Sequence, residues 1–245
     1  MIESKDNEKL KLVRKLRERK HREREGLFAT EGEDLLALGL AAGTEPRFVL
    51  VAAGTGLHGT DSGSGAEYAV DVVPSDLLAS VSSLGSGTRA IAVWPRTEAS
   101  PPVAPCVYLD GVGDPGNVGT IVRTAHALLD ATVALGPGCA DAFGPKATRA
   151  SMGSLFARPP ASVAGVEATP EPRVALVAHG GDGLGALAGA ATLCLGAERE
   201  GLRPEVVAAC AASVTIPLRG GADSLNVAAA AAVACARMSE VRSHG

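Results

Sequence analysis

Val107-Tyr108-Leu109-Asp110-Gly111-Val112-Gly113-Asp114-Pro115-Gly116-Asn117-Val118-Gly119-Thr120-Ile121-Val122-Arg123-Thr124-Ala125 decides how the chain is read: a short apolar strand, a glycine-rich turn, then the opening of a helix. Gly and Pro in the turn permit a tight reversal with close backbone approach. Asn117 and Arg123 stand six residues apart at the start of the helix, so the layout is expected to bring a polar amide and a fixed cation near one cleft. Strand, glycine turn and helix together are the unit from which α/β sheets build ligand sites at the carboxyl ends of their strands.

The same alternation runs outward in both directions. Downstream, strands are expected at 106–109, 131–135, 173–178 and 192–195, with helices beginning near Asn117, Lys146 and Arg203. Ser224 is a good N-cap residue for an Ala-rich helix over 225–238. These elements predict an α/β domain with a mostly parallel sheet over 106–245. Upstream, a charged helix with the narrow apolar stripe Leu10, Val13 and Leu16 precedes a strand at 26–32, a helix at 33–39, strands at 47–53, 68–73 and 89–94, a polar loop at 54–67 and a helix at 74–82. This predicts a small α/β domain over 1–95, and the Pro-rich stretch 96–105 reads as a linker.

With 46% hydrophobic residues in 245, wholesale disorder is excluded. No run of 18 apolar residues appears and residues 1–25 are charged, so the expectation is a cytoplasmic protein without a membrane partner. Cys106, Cys139, Cys194, Cys210 and Cys235 are widely spaced in apolar segments, which predicts reduced, mostly buried thiols. The net charge is −4, but residues 1–25 hold ten Lys or Arg against six acids, a local surplus of +4 that leaves the rest at −8. A basic leading helix on an acidic body suits a phosphate-rich partner, and Lys11, Arg14 and Lys15 are its candidate contacts.

Several other patterns compete. Gly111-Val-Gly113-Asp-Pro-Gly116 matches G-x-G-x-x-G, with Asp130 near the place of a ribose-binding acid, so a nicotinamide-dependent oxidoreductase is a remote alternative. Gly54-Thr-Gly56-Leu-His-Gly59 matches as well, and Pro115 interrupts the first turn. His21, His58, His126, His179 and His244 show no paired spacing, so no metal is expected. Ser151 and Ser154 lack the elbow of a hydrolase nucleophile.

Three blocks in order carry a resemblance. Asn117, Gly119 and Arg123 form the first; Lys146-Ala-Thr-Arg149-Ala-Ser151-Met-Gly-Ser-Leu-Phe156 the second; and Leu195-Gly196-Ala-Glu198-Arg-Glu-Gly201-Leu202, with Ile216-Pro217-Leu218 and Ser224-Leu225-Asn226-Val-Ala228, the third. Over residues 106–240 the chain resembles the SpoU/TrmH family of the SPOUT superfamily, RNA ribose 2′-O-methyltransferases that use S-adenosyl-L-methionine. The resemblance implies a deep trefoil knot in the catalytic domain, a ribosomal-protein-like RNA-binding domain before it, and a homodimer, for which the small stripe Ala228, Ala231, Ala232 and Cys235 would offer close packing. It implies Arg123, Asn117, Ser224 and Asn226 as catalytic residues and Leu195, Gly196, Glu198, Gly201, Ile216, Pro217 and Leu225 as cofactor contacts. Arg149 and Ser151 would face RNA. Leu128-Leu129-Asp130 departs from the family, which often has an aromatic and a glycine there. The expected activity is 2′-O-methylation of a structured RNA, ribosomal RNA first; transfer RNA methylation and a non-catalytic RNA-binding assembly role are the alternatives.

Overall fold

A computed structural model describes residues 1–56, 68–83, 87–99, 101–219 and 224–243. Most of the expected loop 54–67, with His58 and the second half of the second glycine fingerprint, lies outside the described residues, as does His244. In chain order the elements are α1 (Glu8–Lys15), α2 (Arg19–Glu25), β1 (Leu27–Glu31), α3 (Glu33–Ala41), β2 (Phe48–Ala52), β3 (Ala69–Val73), α4 (Ser75–Val81) and β4 (Ala90–Pro95). Then follow β5 (Cys106–Asp110), α5 (Pro115–Leu129), β6 (Thr132–Leu135), α6 (Pro145–Ser151), α7 (Ser154–Ala157), β7 (Ala161–Ser162), β8 (Arg173–Leu176), β9 (Thr192–Gly196), α8 (Pro204–Ala208), β10 (Ala212–Val214) and α9 (Val227–Ser243). Two compact units divide them: 1–97 with 143–157, and 98–142 with 158–245.

In the first unit four strands run in the order β1-β4-β2-β3, antiparallel except for the β2–β3 pair. One core gathers Leu10, Val13 and Leu16 of the N-terminal stripe with Phe48, Leu50, Ile91 and Val93. The alternate positions of β1 and β4 feed an aromatic cluster: Phe28 lies 5.1 Å from Phe143 and 5.7 Å from Phe156, and Trp94 lies 4.7 Å from Phe156. Trp94 Nε1 donates to Thr30 Oγ1 at 2.8 Å, so the indole is buried with its one polar atom satisfied. This cluster explains why 143–157, expected within the 106–245 domain, packs with the first unit. Its two phenylalanines have their ring partners there.

The leading helix also differs from expectation. Many of its cations have intramolecular work: Lys9 pairs with Asp71, Arg17 donates to Ser82 O at 2.5 Å, and Arg19 meets Glu23 at 2.7 Å. Arg22, only 4% exposed, donates to the carbonyls of Leu16 and Arg17 at 2.7 and 2.8 Å, closing the end of α1.

The second unit is built on six strands in the order β10-β8-β9-β5-β6-β7, every described pair parallel. A mostly parallel sheet was expected; the short β7 and β10 carry too few residues for a periodic signal. On α5 the Asp114 side chain accepts from Asn117 N at 2.9 Å and Pro115 opens the first turn. At its other end Asp130 adopts a left-handed φ of 50°, the conformation that a glycine would supply most easily, and its carboxylate is paired with Arg158. That guanidinium holds the Asp130 carboxyl below its usual range. Asp130 is therefore a helix terminator and not the ribose acid of a dinucleotide fold.

Helix α9 packs extensively on α5, with Ala231 and Cys235 fully buried and Ala228 nearly so. Of the stripe offered for dimerisation, three residues are thus buried within the chain and Ala232 is half-buried. The helix also starts later than expected. Asn226, not Ser224, caps it, its Oδ1 accepting from Ala228 N at 2.9 Å and Ala229 N at 3.3 Å. Four of the five thiols are buried and Cys210 is half-buried, its sulfur 3.7 Å from that of Cys194. No described helix is long and apolar enough to cross a membrane.

Replacing Arg22 with Ala is expected to lower unfolding free energy by about 1–3 kcal/mol, because buried carbonyls lose their donor. The exposed Lys15→Ala change should stay within about 0.5 kcal/mol. Urea titrations followed by circular dichroism check both.

Candidate functional site

Strands β8 and β9 end side by side, and beyond their carboxyl ends Leu176–His179, Leu195–Leu202, Ile216, Leu218, Ser224, Leu225, Val227 and Ala230 surround a cavity of about 470 Å³. Its place is the one an open parallel sheet offers a ligand. Its lining joins aliphatic residues to the polar His179, Glu198, Arg199, Glu200 and Ser224. One side is shaped by a loop closed at its neck, where Ala197 N donates to Gly201 O at 3.1 Å and Gly201 N to Ala197 O at 2.9 Å. Gly201 has a φ of +70°, which favours glycine. At Gly196 a Cβ would stand 2.1 Å from the Gly201 carbonyl carbon and 2.2 Å from Leu202 N, so no side chain fits.

On this loop Glu198 Oε1 accepts from Asn117 Nδ2 and from Asn226 Nδ2, each at 2.6 Å, and Asn226 Nδ2 also lies 3.2 Å from Asn117 Oδ1. Three segments, at the starts of α5 and α9 and in the β9–α8 loop, are thus tied through one carboxylate. Each side-chain amide is oriented at both ends: Asn117 donates to Glu198 and accepts from Asn226 Nδ2, and Asn226 Oδ1 caps its helix. Asn117 was expected to orient Arg123 or a ribose; in this structure its side chain orients Glu198 instead.

Behind the loop, Asp110 at the end of β5 is 2% exposed and faces Gly196 across the β5–β9 pair. Arg203 Nε lies 3.0 and 3.1 Å from its two oxygens, Arg203 Nη2 2.8 Å from Oδ1, and the backbone N of Arg203 3.1 Å from Oδ2. The carboxylate pushes the Arg203 pKa upward. Burial, and then the Asp110 charge, push the neighbouring Tyr108 hydroxyl up to about 12, so it keeps its proton.

Residues 104–236 match the SpoU rRNA Methylase family model. The chain belongs to that family. Residues 7–92 match a second model, the MRM3-like substrate binding domain. The chain is similar to the 23S rRNA (guanosine(2553)-2′-O)-methyltransferase RlmP of Bacillus subtilis, 32% identical over 95% of this chain and 96% of that protein. It also resembles the solved SpoU methyltransferase AviRb from Streptomyces viridochromogenes in complex with AdoMet, at 27% identity and a TM-score of 0.85, covering 98% and 99% of the two chains. A solved AdoMet-bound rRNA methyltransferase from Sinorhizobium meliloti matches at 26% identity and a TM-score of 0.82, over 99% of this chain and 97% of that one.

Of the residues that the family resemblance picked out, Leu195, Gly196, Glu198, Gly201, Ile216, Leu225 and Ser224 line the cavity. Asn117 and Asn226 join it through Glu198, while Pro217 is exposed and outside the lining. Six residues at about 100° each set Arg123 about 120° round α5 from Asn117. Arg123 is exposed, and among the described residues no hydrogen bond or ion pair holds it.

Lys11, Arg14, Lys15, Arg149 and Ser151 all belong to the first unit. Lys11 lies 3.4 Å from Glu8, Arg14 donates to Lys5 O at 2.9 Å, and Lys15 and Arg149 are exposed. Ser151 is 1% exposed and donates to Thr148 O at 2.8 Å, so its hydroxyl has no face to offer a ligand, contrary to expectation. Sequence reasoning missed the Asp110–Arg203 pair. An acid closing an otherwise apolar buried strand was the available signal.

Gly196→Ala is expected to force the loop neck apart, costing about 1–3 kcal/mol of stability as an overpacking change. Thermal unfolding against the wild type measures it; an unshifted midpoint would show that the neck yields freely.

Proposed function

We propose that the chain transfers a methyl group from S-adenosylmethionine to the 2′-hydroxyl of a ribose in ribosomal RNA. The observation that carries this reading is the cavity at the strand ends, with side-chain-free Gly196 at the neck of its loop and the Asn117–Glu198–Asn226 cluster on that loop. Aliphatic Leu195, Ile216, Leu218 and Leu225 beside polar Glu198 and Ser224 suit a ligand with a flat base and a ribose, which is sandwiched by apolar surface and read by fixed donors and acceptors. When bound, the cofactor supplies the electrophilic methyl carbon. The protein's task is then to hold the acceptor oxygen in line and dry. Asn117 and Asn226 hold Glu198 in one orientation, and Ser224 adds a hydroxyl to the same wall.

A guanidinium offers donors and no acceptor, so Arg123 is assigned to a backbone phosphate and to the charge developing on the acceptor oxygen, and not to removal of the proton. Lys11, Arg14, Lys15 and Arg149 are assigned to RNA phosphates; Ser151 is withdrawn. The match of 7–92 to a substrate binding domain and the printed activity of the RlmP relative support ribosomal RNA as the substrate. The reading includes the trefoil knot that the family resemblance implies, and a cytoplasmic enzyme.

Incubation with ribosomal RNA, transfer RNA and labelled cofactor, followed by mapping of 2′-O-methyl groups, tests the activity. Label on transfer RNA alone would move the substrate; label on neither would remove the activity. Arg123→Ala is expected to abolish transfer while S-adenosylmethionine binding by calorimetry stays near wild type, since Arg123 does not line the cavity. Near-normal turnover in that variant would remove Arg123 from the chemistry.

A second copy of the chain completes this reading. Arg123 leaves α5 about 120° round the helix from Asn117 and is exposed, and in this reading the pairing of two copies brings it to a site that RNA reaches. With most of the Ala stripe used internally, the outward residues Leu128 and Val233, 39% and 41% exposed on α5 and α9, are the contacts proposed. Light scattering of the full chain at micromolar concentration is expected to give twice the monomer mass, and Val233→Asp to reduce it. A monomeric wild type ends the dimer proposal.

A further inference from the structure

We propose that Asp110 and Arg203 are a positioning pair whose work is to hold the 197–202 loop against the cavity, so that the pair sets cofactor affinity without touching the cofactor. This rests on the reading of that cavity as the cofactor site. The loop leaves the sheet at Gly196, where the β5–β9 ladder fixes its incoming end opposite Asp110. Its outgoing end is Arg203, whose guanidinium and backbone N–H both converge on the Asp110 carboxylate at 2.8–3.1 Å. One strand terminus therefore holds both ends of the loop, the incoming end through backbone pairing at Gly196 and the outgoing end through the Asp110 side chain. Arg203 does not line the cavity, whereas Ala197, Glu198, Gly201 and Leu202 do.

The chemistry favours a clamp over an incidental ion pair. The Asp110 side chain is 1% exposed, and a buried carboxylate must have its oxygens satisfied, so wherever it sits Arg203 must come. The guanidinium presents a planar fork that matches both oxygens, fixing direction as well as distance. Glu198, midway round the loop, can meet Asn117 and Asn226 at 2.6 Å only if the loop returns at this point.

Calorimetry with S-adenosylmethionine on the full chain tests the inference with Arg203→Ala and Arg203→Lys. Arg203→Ala is expected to weaken binding about ten-fold or more, the loss of a charge-assisted hydrogen-bond pair. Its KM for the cofactor should rise in step while kcat at saturating cofactor stays within about three-fold, the pattern of lost uniform binding. Arg203→Lys keeps the charge and loses the fork, and its affinity should fall between the two. Wild-type affinity in Arg203→Ala, or in Arg203→Lys should the alanine variant not fold, overturns the positioning role alone. A wild-type chain that does not bind S-adenosylmethionine overturns the cavity assignment and the positioning role with it.

Discussion

At Gly196 two stretches of backbone run so close that a single methyl group would overlap the Gly201 carbonyl carbon, and the cavity's shape follows from this contact. Because the neck is closed by main-chain atoms, residues 197–201 must project as a compact loop, and a left-handed Gly201 lets the chain turn back. The loop in turn carries Glu198 to the starts of α5 and α9. Any side chain at the neck would push Glu198 away from both asparagines, and the three segments would lose their common anchor. A small exclusion of volume thus organises polar groups separated by more than a hundred residues.

Charge is used in two distinct ways along this chain. Buried or helix-closing cations are matched to specific acceptors: Arg22 to two carbonyls, Arg203 to Asp110, and Arg158 to Asp130. Arg22 and Asp110 are desolvated and tolerated only with partners, while the exposed Arg158–Asp130 pair meets the residue that ends α5. The surface cations of the leading helix are different, since pairs such as Lys11–Glu8 are exposed and worth little, so a polyanion can displace them at small cost. Counting Lys and Arg in residues 1–25 does not separate the two uses. Arg22 and Lys15 look alike in sequence and differ entirely in burial.

Much of the fold was legible because each signal was local. The strands at 106–109 and 192–195 are apolar runs bounded by turn residues, and the Leu10, Val13 and Leu16 stripe has helical spacing; both are found as expected. What escaped was set by distant partners. Ser224 and Asn226 are both good caps, and only the position of Glu198 decides that Asn226 does the work. The Ala228, Ala231 and Cys235 stripe marks close packing correctly but cannot say against what, and α5 fills it. Phe143 and Phe156 belong with Phe28 and Trp94 although they lie far beyond the Pro-rich stretch, an attachment that no spacing rule reveals. Within the site, Gly196, Glu198 and Leu225 were recognisable from the three-block resemblance. Asp110 and Arg203, 93 residues apart, were not.

Arg123 gains meaning from what the other arginines do. Where a guanidinium serves the fold of this chain it is met by a carboxylate or carbonyls, as at Asp110, Asp130 and the end of α1. Arg123 stands on a rigid helix whose start is tied to Glu198 through Asn117, yet it is exposed and met by no described acceptor. An exposed cation on a fixed scaffold keeps its hydration and its field available, and it loses little when an external phosphate replaces water. Had an acid stood one helical turn away, at residue 119 or 127, an intrahelical pair would compete with such an anion. Those positions are Gly119 and Ala127, so neither offers Arg123 an intrahelical acid.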